Sequence, residues 1–311
     1  MQLLDDLSQA VLHQDTVLTI GSFDGVHRGH QHLIGQVLRR ARRMNLIGGL
    51  LTFYPHPAAI LDPHNAPRYI TTPGEKIALL EKLGLDLVAI LPFSRQLAQT
   101  SPRDFMIATK RHLRLRELWV GSDFVLGQNR VGDLETLRTL GHELDFAVTP
   151  VEPLLWEDEA ISSTRIRRDL AAGNMRQATA LLGRYPSLAG EVVQGARRGH
   201  QLGIPTANLA VRPEQAVPAD GVYAVYAILG EERHPGVANV GVRPSFDNGK
   251  RIVETHILDF DEDIYGVDLV VEFVERLRDE RRFDNVDELV SQIRRDIKQT
   301  RHSLSGTPQS L

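Results

Sequence analysis

Two histidines spaced three residues apart, His27 and His30, are the side chains best placed for chemistry. They end a glycine-rich run over residues 21–30, which follows an apolar segment and precedes apolar residues at helical spacing. The pattern predicts a strand, a glycine turn and a helix. A helix N-terminus offers unpaired N–H groups and the positive end of its dipole to an anion. Two imidazoles aimed at a phosphate bound there could stabilise the charge that develops in phosphoryl or nucleotidyl transfer.

The competing interpretation is a pair of surface histidines after a flexible turn, which the pairing and the glycines disfavour. The run resembles the His-x-Gly-His signature of the nucleotidyltransferase superfamily, and its longer form Gly-x-Phe-Asp-Gly-x-His-x-Gly-His is similar to the flavin-nucleotide branch. The resemblance implies that His27 and His30 steady the α-phosphate of ATP while a phosphate nucleophile attacks and pyrophosphate leaves. It also implies ATP contacts from the other motif residues, Gly21, Phe23, Asp24 and Gly29.

A second candidate group, Ser163, Thr164 and Arg167, opens a helix predicted over 164–182. Hydroxyls and N-terminal N–H groups bind phosphate oxygens, and an arginine adds charge-assisted donors. An ordinary Ser/Thr cap is the alternative. The segment resembles the Ser-Ser-Thr-x-x-Arg signature of the same superfamily. That resemblance implies that both hydroxyls contact ATP and that Arg167 holds its phosphates.

Two further polar residues follow predicted strands of the first half. His56 lies in a proline-flanked exit from the second strand, and Asp123 follows the fourth. Ligands of doubly wound sheets bind at the carboxyl ends of strands. The resemblance to the flavin-nucleotide branch implies that both residues contact FMN. A stiff structural loop is the alternative for His56.

The segment from residue 190 to 208 is rich in glycine, which lets backbone approach phosphates closely. Gly199 and Gly203 are the predicted phosphate-loop residues. Thr206 and Asn208 offer neutral oxygens on one face of an extended segment, and such oxygens suit Mg²⁺. A turn-rich β-domain without a ligand would show the same glycines, so a phosphate- and Mg²⁺-binding segment and a purely structural one both remain open interpretations.

Glu254 lies in a predicted strand over 251–260, on the same face as His256. A carboxylate there could be the general base for a hydroxyl nucleophile in a loose phosphoryl transfer. A solvated strand face is the alternative.

Residues 205–208, Pro-Thr-Ala-Asn, are similar to the signature of riboflavin kinases. Further matches to that signature set are residues 221–223, 237–244, 254–256, 265–266 and 277–283. Together the two halves resemble the bacterial bifunctional riboflavin kinase/FMN adenylyltransferases, from about Leu18 to Ile297. The resemblance implies that Thr206 and Asn208 bind Mg²⁺ with ATP, that Glu254 is the base for the ribityl 5′-hydroxyl, and that Arg278 lies near the flavin. It implies riboflavin, FMN and ATP as substrates, with FMN and FAD as products.

Two positions depart from the family pattern. Leu126 stands where the family often has a second aromatic, which weakens the expectation of flavin stacking there. Arg184-Tyr185-Pro186 replaces the common order Arg-Pro-Tyr, a change expected to affect the linker rather than the chemistry.

The elements that must position these residues change in type along the chain. Strand-like and helix-like segments alternate to about residue 150, which predicts a Rossmann-like, doubly wound parallel sheet. Short strands follow, which predict an antiparallel β-barrel closed by a C-terminal helix. The predicted domains are an adenylyltransferase over 1–183 and a kinase over 184–301, with a disordered tail over 302–311.

Composition narrows the classes of protein. The 311 residues are 42% hydrophobic with a net charge of −4, so a nucleic-acid surface is not expected. The absence of cysteine excludes disulfides and thiol chemistry. The chain shows no signal peptide and no membrane-length apolar span, so a soluble cytoplasmic protein is expected. Two rival functions stay open: a kinase whose first domain adenylylates another phosphate acceptor, and a non-catalytic flavin- or nucleotide-binding regulator.

Overall fold

A computed structural model of the chain divides into two compact units, residues 1–67 with 72–162 and residues 68–71 with 163–311. The structure describes four stretches, residues 1–127, 131–195, 203–242 and 251–305. The predicted phosphate-loop residue Gly199 lies outside the described residues.

The first unit contains a parallel sheet. Its strands are β1 Gln2–Leu4, β2 Thr16–Ile20, β3 Ile47–Tyr54, β4 Leu87–Pro92, β5 Leu115–Gly121 and β6 Ala147–Val151. Their order across the sheet is β1-β4-β3-β2-β5-β6, and every pairing is parallel. The order reverses between β2 and β5, and ligands of open α/β sheets bind at such a switch, beyond the carboxyl ends of the strands.

Helices cover both faces of this sheet. They are α1 Arg28–Met44, α2 Pro57–Leu61, α3 Pro73–Lys82, α4 Arg95–Ala98, α5 Pro102–Leu113 and α6 Leu134–Leu144. A capping box between Thr72 and Glu75 begins α3, and Ser101 caps α5 ahead of a proline at its first position. A short hairpin, β7 Leu155–Trp156 and β8 Glu159–Ala160, follows β6.

The central strands are apolar at successive positions because both faces of the sheet are buried. Val17 and Leu18 are neighbours in β2, and both are fully buried because their side chains point to opposite faces. Val17 packs with Val37 of α1, whereas Leu18 packs with the cluster that includes Phe105 of α5. This arrangement is the doubly wound fold that the sequence predicts.

The second unit contains a closed antiparallel barrel. Its strands are β9 Ser187–Val193, β10 Ala207–Leu209, β11 Gly221–Leu229, β12 Glu232–Val242, β13 Arg251–Ile257 and β14 Asp268–Arg278. The order around the barrel is β10-β13-β12-β11-β14-β9, and the pairing of β9 with β10 closes it. Tyr223 and Phe273 fill the interior edge to face, with ring centroids 5.3 Å apart.

Three helices complete the second unit, α7 Ser163–Ala172, α8 Met175–Leu182 and α9 Val286–Ser305. The prediction of one helix over 164–182 is wrong, because Gly173 adopts a left-handed φ of +76° and separates α7 from α8. Asn285 caps α9, with its side chain accepting from the Glu288 N–H at 2.9 Å.

The short strands β1, β9 and β10 are not predicted from the sequence. Helix α9 continues to Ser305, so the first four residues of the predicted tail over 302–311 are helical. Among the described residues, the structure has no helix that is long and apolar enough to cross a membrane.

Candidate active sites

The turn between β2 and α1 has an unusual backbone. Phe23, Gly25 and Val26 adopt positive φ values of +48°, +80° and +39°. Such values cost about 1–3 kcal/mol for residues other than glycine, so packing must hold them. Phe23 and Val26 are buried in one apolar cluster with Ile34 of α1 and Leu50 of β3. The core therefore fixes the shape of the turn that carries the histidines.

His27 is the N-cap of α1. Its Nδ1 accepts the backbone N–H of His30 at 3.3 Å, so Nδ1 carries no proton and the neutral ring holds its proton on Nε2. The cap fixes both the orientation and the tautomer of this imidazole.

His30 lies directly against His27. The two rings stack with centroids 3.6 Å apart at 16°, and the Phe23 ring lies 5.0 Å from the His30 ring. The Nδ1 atom of His30 is buried and has no hydrogen-bond partner in the part of the chain that the structure describes. Burial, together with His27 and Lys76, holds the pKa of His30 well below its usual 6.5, so the ring is neutral at neutral pH.

Gly29 leaves room for this arrangement. A Cβ at this position would lie 3.1 Å from His27 Nδ1 and 3.2 Å from the carbonyl oxygen of Ile161. A side chain there would push the His27 ring or the 161 backbone aside. Gly21 is similarly close, because its Cβ would lie 3.1 Å from the Phe23 ring.

A buried lysine that the sequence analysis missed supports the same turn. Lys76 of α3 is 6% exposed, and its Nζ donates to the Ser22 carbonyl oxygen at 3.1 Å. The predicted ATP contact Asp24 is also buried, and its charge opposes the fall in the pKa of Lys76 that burial causes. In the sequence, this lysine looks like an ordinary charge on an amphipathic helix, so nothing there marked it.

The two predicted FMN contacts have different surroundings. His56 caps α2, with its Nδ1 accepting the Ala58 N–H at 3.1 Å, whereas Asp123 is exposed after β5. Leu126 is 8% exposed and packs in the core cluster that also contains Phe105, which leaves it no stacking surface of its own. The FMN roles of His56 and Asp123 stay predictions.

Ser163 and Thr164 begin α7, and Arg167 follows within its first turns. The Arg167 Nε donates to the Arg68 carbonyl oxygen at 2.6 Å. Both arginines line a cavity of about 780 Å³ in the second unit, together with Arg212 and Arg251. The cavity is therefore rich in positive charge, which suits an anion. The ATP contacts of these residues stay predictions.

In the barrel, Asn208 and Glu254 occupy directly opposite positions on β10 and β13. Asn239 of β12 is opposite Glu254 on the other side. Residues directly opposite in antiparallel strands point to the same face, with Cβ atoms about 4.5–5.5 Å apart. The carboxylate therefore lies in a row between two amides. Asn239, which donates to Glu280 Oε1 at 3.3 Å, was missed because only the strand register shows it.

Asn208 is a buried amide with an acceptor atom that the described residues leave unsatisfied. It is 7% exposed, yet its Oδ1 atom has no hydrogen-bond partner among the described residues. A Cβ at Gly195 would overlap the Asn208 amide, so glycine at this position leaves room for that side chain. Thr206, two residues away, lies on the same face of the extended chain.

A cavity of about 550 Å³ opens beside Thr206, and its described lining includes neither Asn208 nor Glu254. It is lined by Gly203, Thr206, Thr255 and Tyr265, and by the acidic segment 261–263. Gly203 has a left-handed φ of +71°, and nothing lies within 4 Å of the position of its missing Cβ. Thr255 Oγ1 is buried without a partner in the described residues, and no sequence pattern marks this residue.

The loop before β10 is held by His256. Its Nδ1 lies 2.7 Å from the Pro205 carbonyl oxygen, and it must be the donor because a carbonyl only accepts. Arg278 has a structural partner: its guanidinium donates through Nε and Nη2 to Asp296 of α9, with the shortest contact at 2.8 Å. The predicted flavin contact of Arg278 stays a prediction.

Comparison with known proteins assigns both units. The FAD synthetase family model matches residues 9–165, and the riboflavin kinase family model matches residues 182–304. The chain is 39% identical over 295 residues to the bifunctional riboflavin kinase/FMN adenylyltransferase of Escherichia coli K12, covering 94% of each protein. It is 35% identical to the Bacillus subtilis protein of the same name, covering 90% of each.

The chain belongs to the bifunctional riboflavin kinase/FMN adenylyltransferase family. The FAD synthetase match contains the His27–His30 turn, and the riboflavin kinase match contains the row around Glu254. A Streptococcus pneumoniae crystal structure, described as that of a macrolide-efflux protein, is also similar, with a TM-score of 0.88, 33% identity and coverage of 96% of this chain and 98% of that one. That likeness shows a shared fold over nearly the whole of both chains.

Proposed function

We propose that this member of the bifunctional riboflavin kinase/FMN adenylyltransferase family makes FMN from riboflavin at the barrel and FAD from FMN at the parallel sheet. The observation that carries the proposal is the presence of both matches in one chain, each around a built polar site. ATP is the co-substrate of both steps. A domain that makes FMN supplies the substrate of the other.

At the barrel, Glu254 is the proposed general base. The riboflavin 5′-oxygen attacks the γ-phosphorus of ATP, a new oxygen–phosphorus bond forms, and the bond to the β-phosphate oxygen breaks. The hydroxyl proton passes to the Glu254 carboxylate, which suffices as a late acceptor in a loose transition state. Asn208 and Asn239, on either side, restrict where that carboxylate can lie.

Thr206 and Asn208 are the residues proposed to hold Mg²⁺. The unpartnered, buried Oδ1 of Asn208 and the neutral hydroxyl of Thr206 fit a hard cation that keeps its phosphate and water ligands. When bound, the ion would neutralise charge on the ATP phosphates. Gly203 gives the adjacent backbone room to approach those phosphates.

At the sheet, the FMN phosphate oxygen attacks the α-phosphorus of ATP, and the bond to pyrophosphate breaks. His27 and His30 donate hydrogen bonds to the phosphate oxygens on which charge develops, and no covalent enzyme intermediate forms. Gly21, Phe23, Asp24 and Gly29 shape the turn around the nucleotide. Ser163, Thr164 and Arg167 are proposed ATP contacts, and His56 and Asp123 are proposed FMN contacts.

In this proposal, residues 1–183 form the adenylyltransferase domain and residues 184–301 form the kinase domain. The two family matches leave residues 166–181 unassigned, and this gap ends just before the proposed boundary. Helices α7 and α8 cluster with the barrel by contact, although α7 carries the proposed ATP residues.

The test is incubation of the purified protein with riboflavin and MgATP, followed by chromatography. FMN and FAD are both expected, and the absence of both would refute the proposal. FMN supplied directly should also yield FAD. A protein that forms FMN but never FAD would instead act on a different phosphate acceptor.

Paired variants test whether the two sites are separate. The double variant His27→Ala/His30→Ala should form FMN but no FAD. Glu254→Gln should form FAD from supplied FMN but no FMN from riboflavin. Each variant is the folding control for the other, and a folded variant that loses both activities would contradict separate sites.

A further inference from the structure

Lys76 is buried at a point where nothing in the apolar packing of α3 requires a charge. Lysine is almost never fully buried unless it is paired. Its Nζ donates to the Ser22 carbonyl oxygen at 3.1 Å and lies 3.4 Å from Thr52 Oγ1. Thr52 Oγ1 donates to the same Ser22 carbonyl at 3.0 Å. Helix α3 and the end of β3 therefore converge on the residue that precedes the left-handed turn at Phe23.

Two titratable residues from different elements interact electrostatically with this ammonium. Asp24, in the turn after β2, attracts it and stabilises its charged form. The ammonium disfavours a positive charge on the His30 imidazole of α1 and so contributes to the lowered pKa of that histidine. His27 acts on His30 in the same direction.

We propose that Lys76 is a positioning residue for adenylyl transfer, which holds the Ser22 turn and places an ammonium group beside the two histidine donors. This inference rests on the proposed function of the same site. A neutral imidazole can donate one hydrogen bond but adds no net charge to balance the ATP phosphates. An ammonium held beside the donors by the Ser22 carbonyl oxygen adds that charge.

A helix capping box places this lysine. Thr72 Oγ1 accepts the Glu75 N–H at 3.2 Å, and Glu75 Oε2 accepts the Thr72 N–H at 2.6 Å. The first turn of α3 is thereby fixed, and Lys76 is the next residue. The position of the ammonium is thus set by the helix end rather than by a flexible loop.

The test compares Lys76→Met, Lys76→Arg and the control Lys82→Met, an exposed lysine on the same helix. For Lys76→Met we expect kcat/KM of FAD formation from FMN to fall about 100-fold, with FMN formation from riboflavin unchanged. Lys76→Arg, which keeps the charge, should recover part of the loss. Lys82→Met should behave as the wild type in both reactions.

The decisive readout is the pKa of His30 by NMR titration, which does not depend on activity. Lys76→Met should raise that pKa, whereas Lys82→Met should leave it in place. A folded Lys76→Met protein with wild-type FAD formation, or with an unchanged His30 pKa, would overturn the inference. If the wild type made no FAD, the proposed function would fail, and the NMR titration would still decide whether Lys76 sets the charge of His30.

Discussion

His27 and His30 stack ring on ring, with centroids 3.6 Å apart, at the first turn of α1. The stack is built by the helix itself, because His27 Nδ1 caps the N–H of His30. One contact thus sets the tautomer of His27 and the spacing between the rings. His27 both caps the helix and is the proposed phosphate contact, and suitable substitutions can separate these two roles.

Replacement of His27 by asparagine or alanine separates these two roles. Asparagine caps helices well, so His27→Asn should keep the stability of the first unit, whereas His27→Ala should lose about 1 kcal/mol. Both should lower FAD formation by about 10²–10³-fold, as expected when a donor to a developing negative charge is removed. Thermal unfolding and a coupled FAD assay provide the two measurements.

FMN formation from riboflavin is the internal control for both variants, because the proposed kinase residues lie in the barrel. If His27→Asn kept full FAD formation, the cap alone would explain the residue and the catalytic role would be wrong.

Gly29 is expected to tolerate no side chain. In Gly29→Ala, the new Cβ would lie 3.1 Å from His27 Nδ1 and 3.2 Å from the Ile161 carbonyl oxygen, so one of them must shift by a few tenths of an ångström. A displaced donor loses alignment with the α-phosphate, and we expect FAD formation to fall by about 10-fold. Steady-state kinetics with FMN and ATP measure the loss.

Gly74→Ala is the matched control, since nothing lies within 4 Å of its missing Cβ in α3 of the same unit. It should retain activity and gain slight stability from the better helix propensity. Equal activity in the two variants would show that the space beside Gly29 is not needed.

The sequence predicted the strand, the turn and the helix start around His27 and His30 because these parts are contiguous. A strand, a glycine turn and a helix start within one run place His27 and His30 without knowledge of the fold. Lys76 was not predictable in that way, because it reaches the turn from α3, 54 residues away from Ser22. Its burial depends on the packing of α3 against the sheet, which a helical periodicity does not report.

The residue types of the proposed barrel site were predicted from the sequence. Their arrangement across neighbouring strands was not. Thr206, Asn208 and Glu254 carry recognisable chemistry, but their mutual placement depends on β10, a three-residue strand too short to show alternation. Asn239 joins the row only through the pairing of β12 with β13. The break at Gly173 was missed because apolar residues continue at helical spacing on both sides of it.

Asn208→Ala is expected to weaken the binding of Mg²⁺ at the proposed barrel site. Its buried, unpartnered Oδ1 is the group removed, so FMN formation should need a higher Mg²⁺ concentration. We expect kcat/KM for riboflavin to fall at least 10-fold at limiting Mg²⁺ and to recover partly at high Mg²⁺. FAD formation from supplied FMN should keep its wild-type Mg²⁺ dependence. A uniform loss of FMN formation at every Mg²⁺ concentration would argue against a ligand role.

The stability of the first unit should fall at acid pH through an ion pair on its sheet. Arg40 of α1 donates to both carboxylate oxygens of Glu117, at 2.6 Å in the shortest contact, and the Trp119 indole donates to the same carboxylate at 3.0 Å. The Arg40 hydrogen bonds hold the pKa of Glu117 below its usual 4.5, against the opposing effect of burial. The loss of stability that is linked to His30 begins at a higher pH, because burial lowers the pKa of this residue from 6.5.

The signs follow from linkage between protonation and folding. The unfolded chain binds protons more tightly than the folded unit at both residues, so stability falls as pH falls. The His30 contribution is complete above about pH 6.5, and the Glu117 contribution is complete above about pH 4.5. Glu117→Gln should therefore flatten the dependence of the unfolding free energy on pH below 4.5 and leave the loss that begins at 6.5 unchanged.

Tryptophan fluorescence isolates this unit, because the chain has two tryptophans and both Trp119 and Trp156 lie within it. Urea unfolding followed at several pH values gives the free energy for that unit alone. Glu143→Gln is a suitable control, since its partner Arg103 and Glu143 itself are both largely exposed and such pairs contribute little. If Glu117→Gln and Glu143→Gln had equal effects on the unfolding free energy below pH 4.5, the special role of the Arg40–Glu117 pair would be refuted.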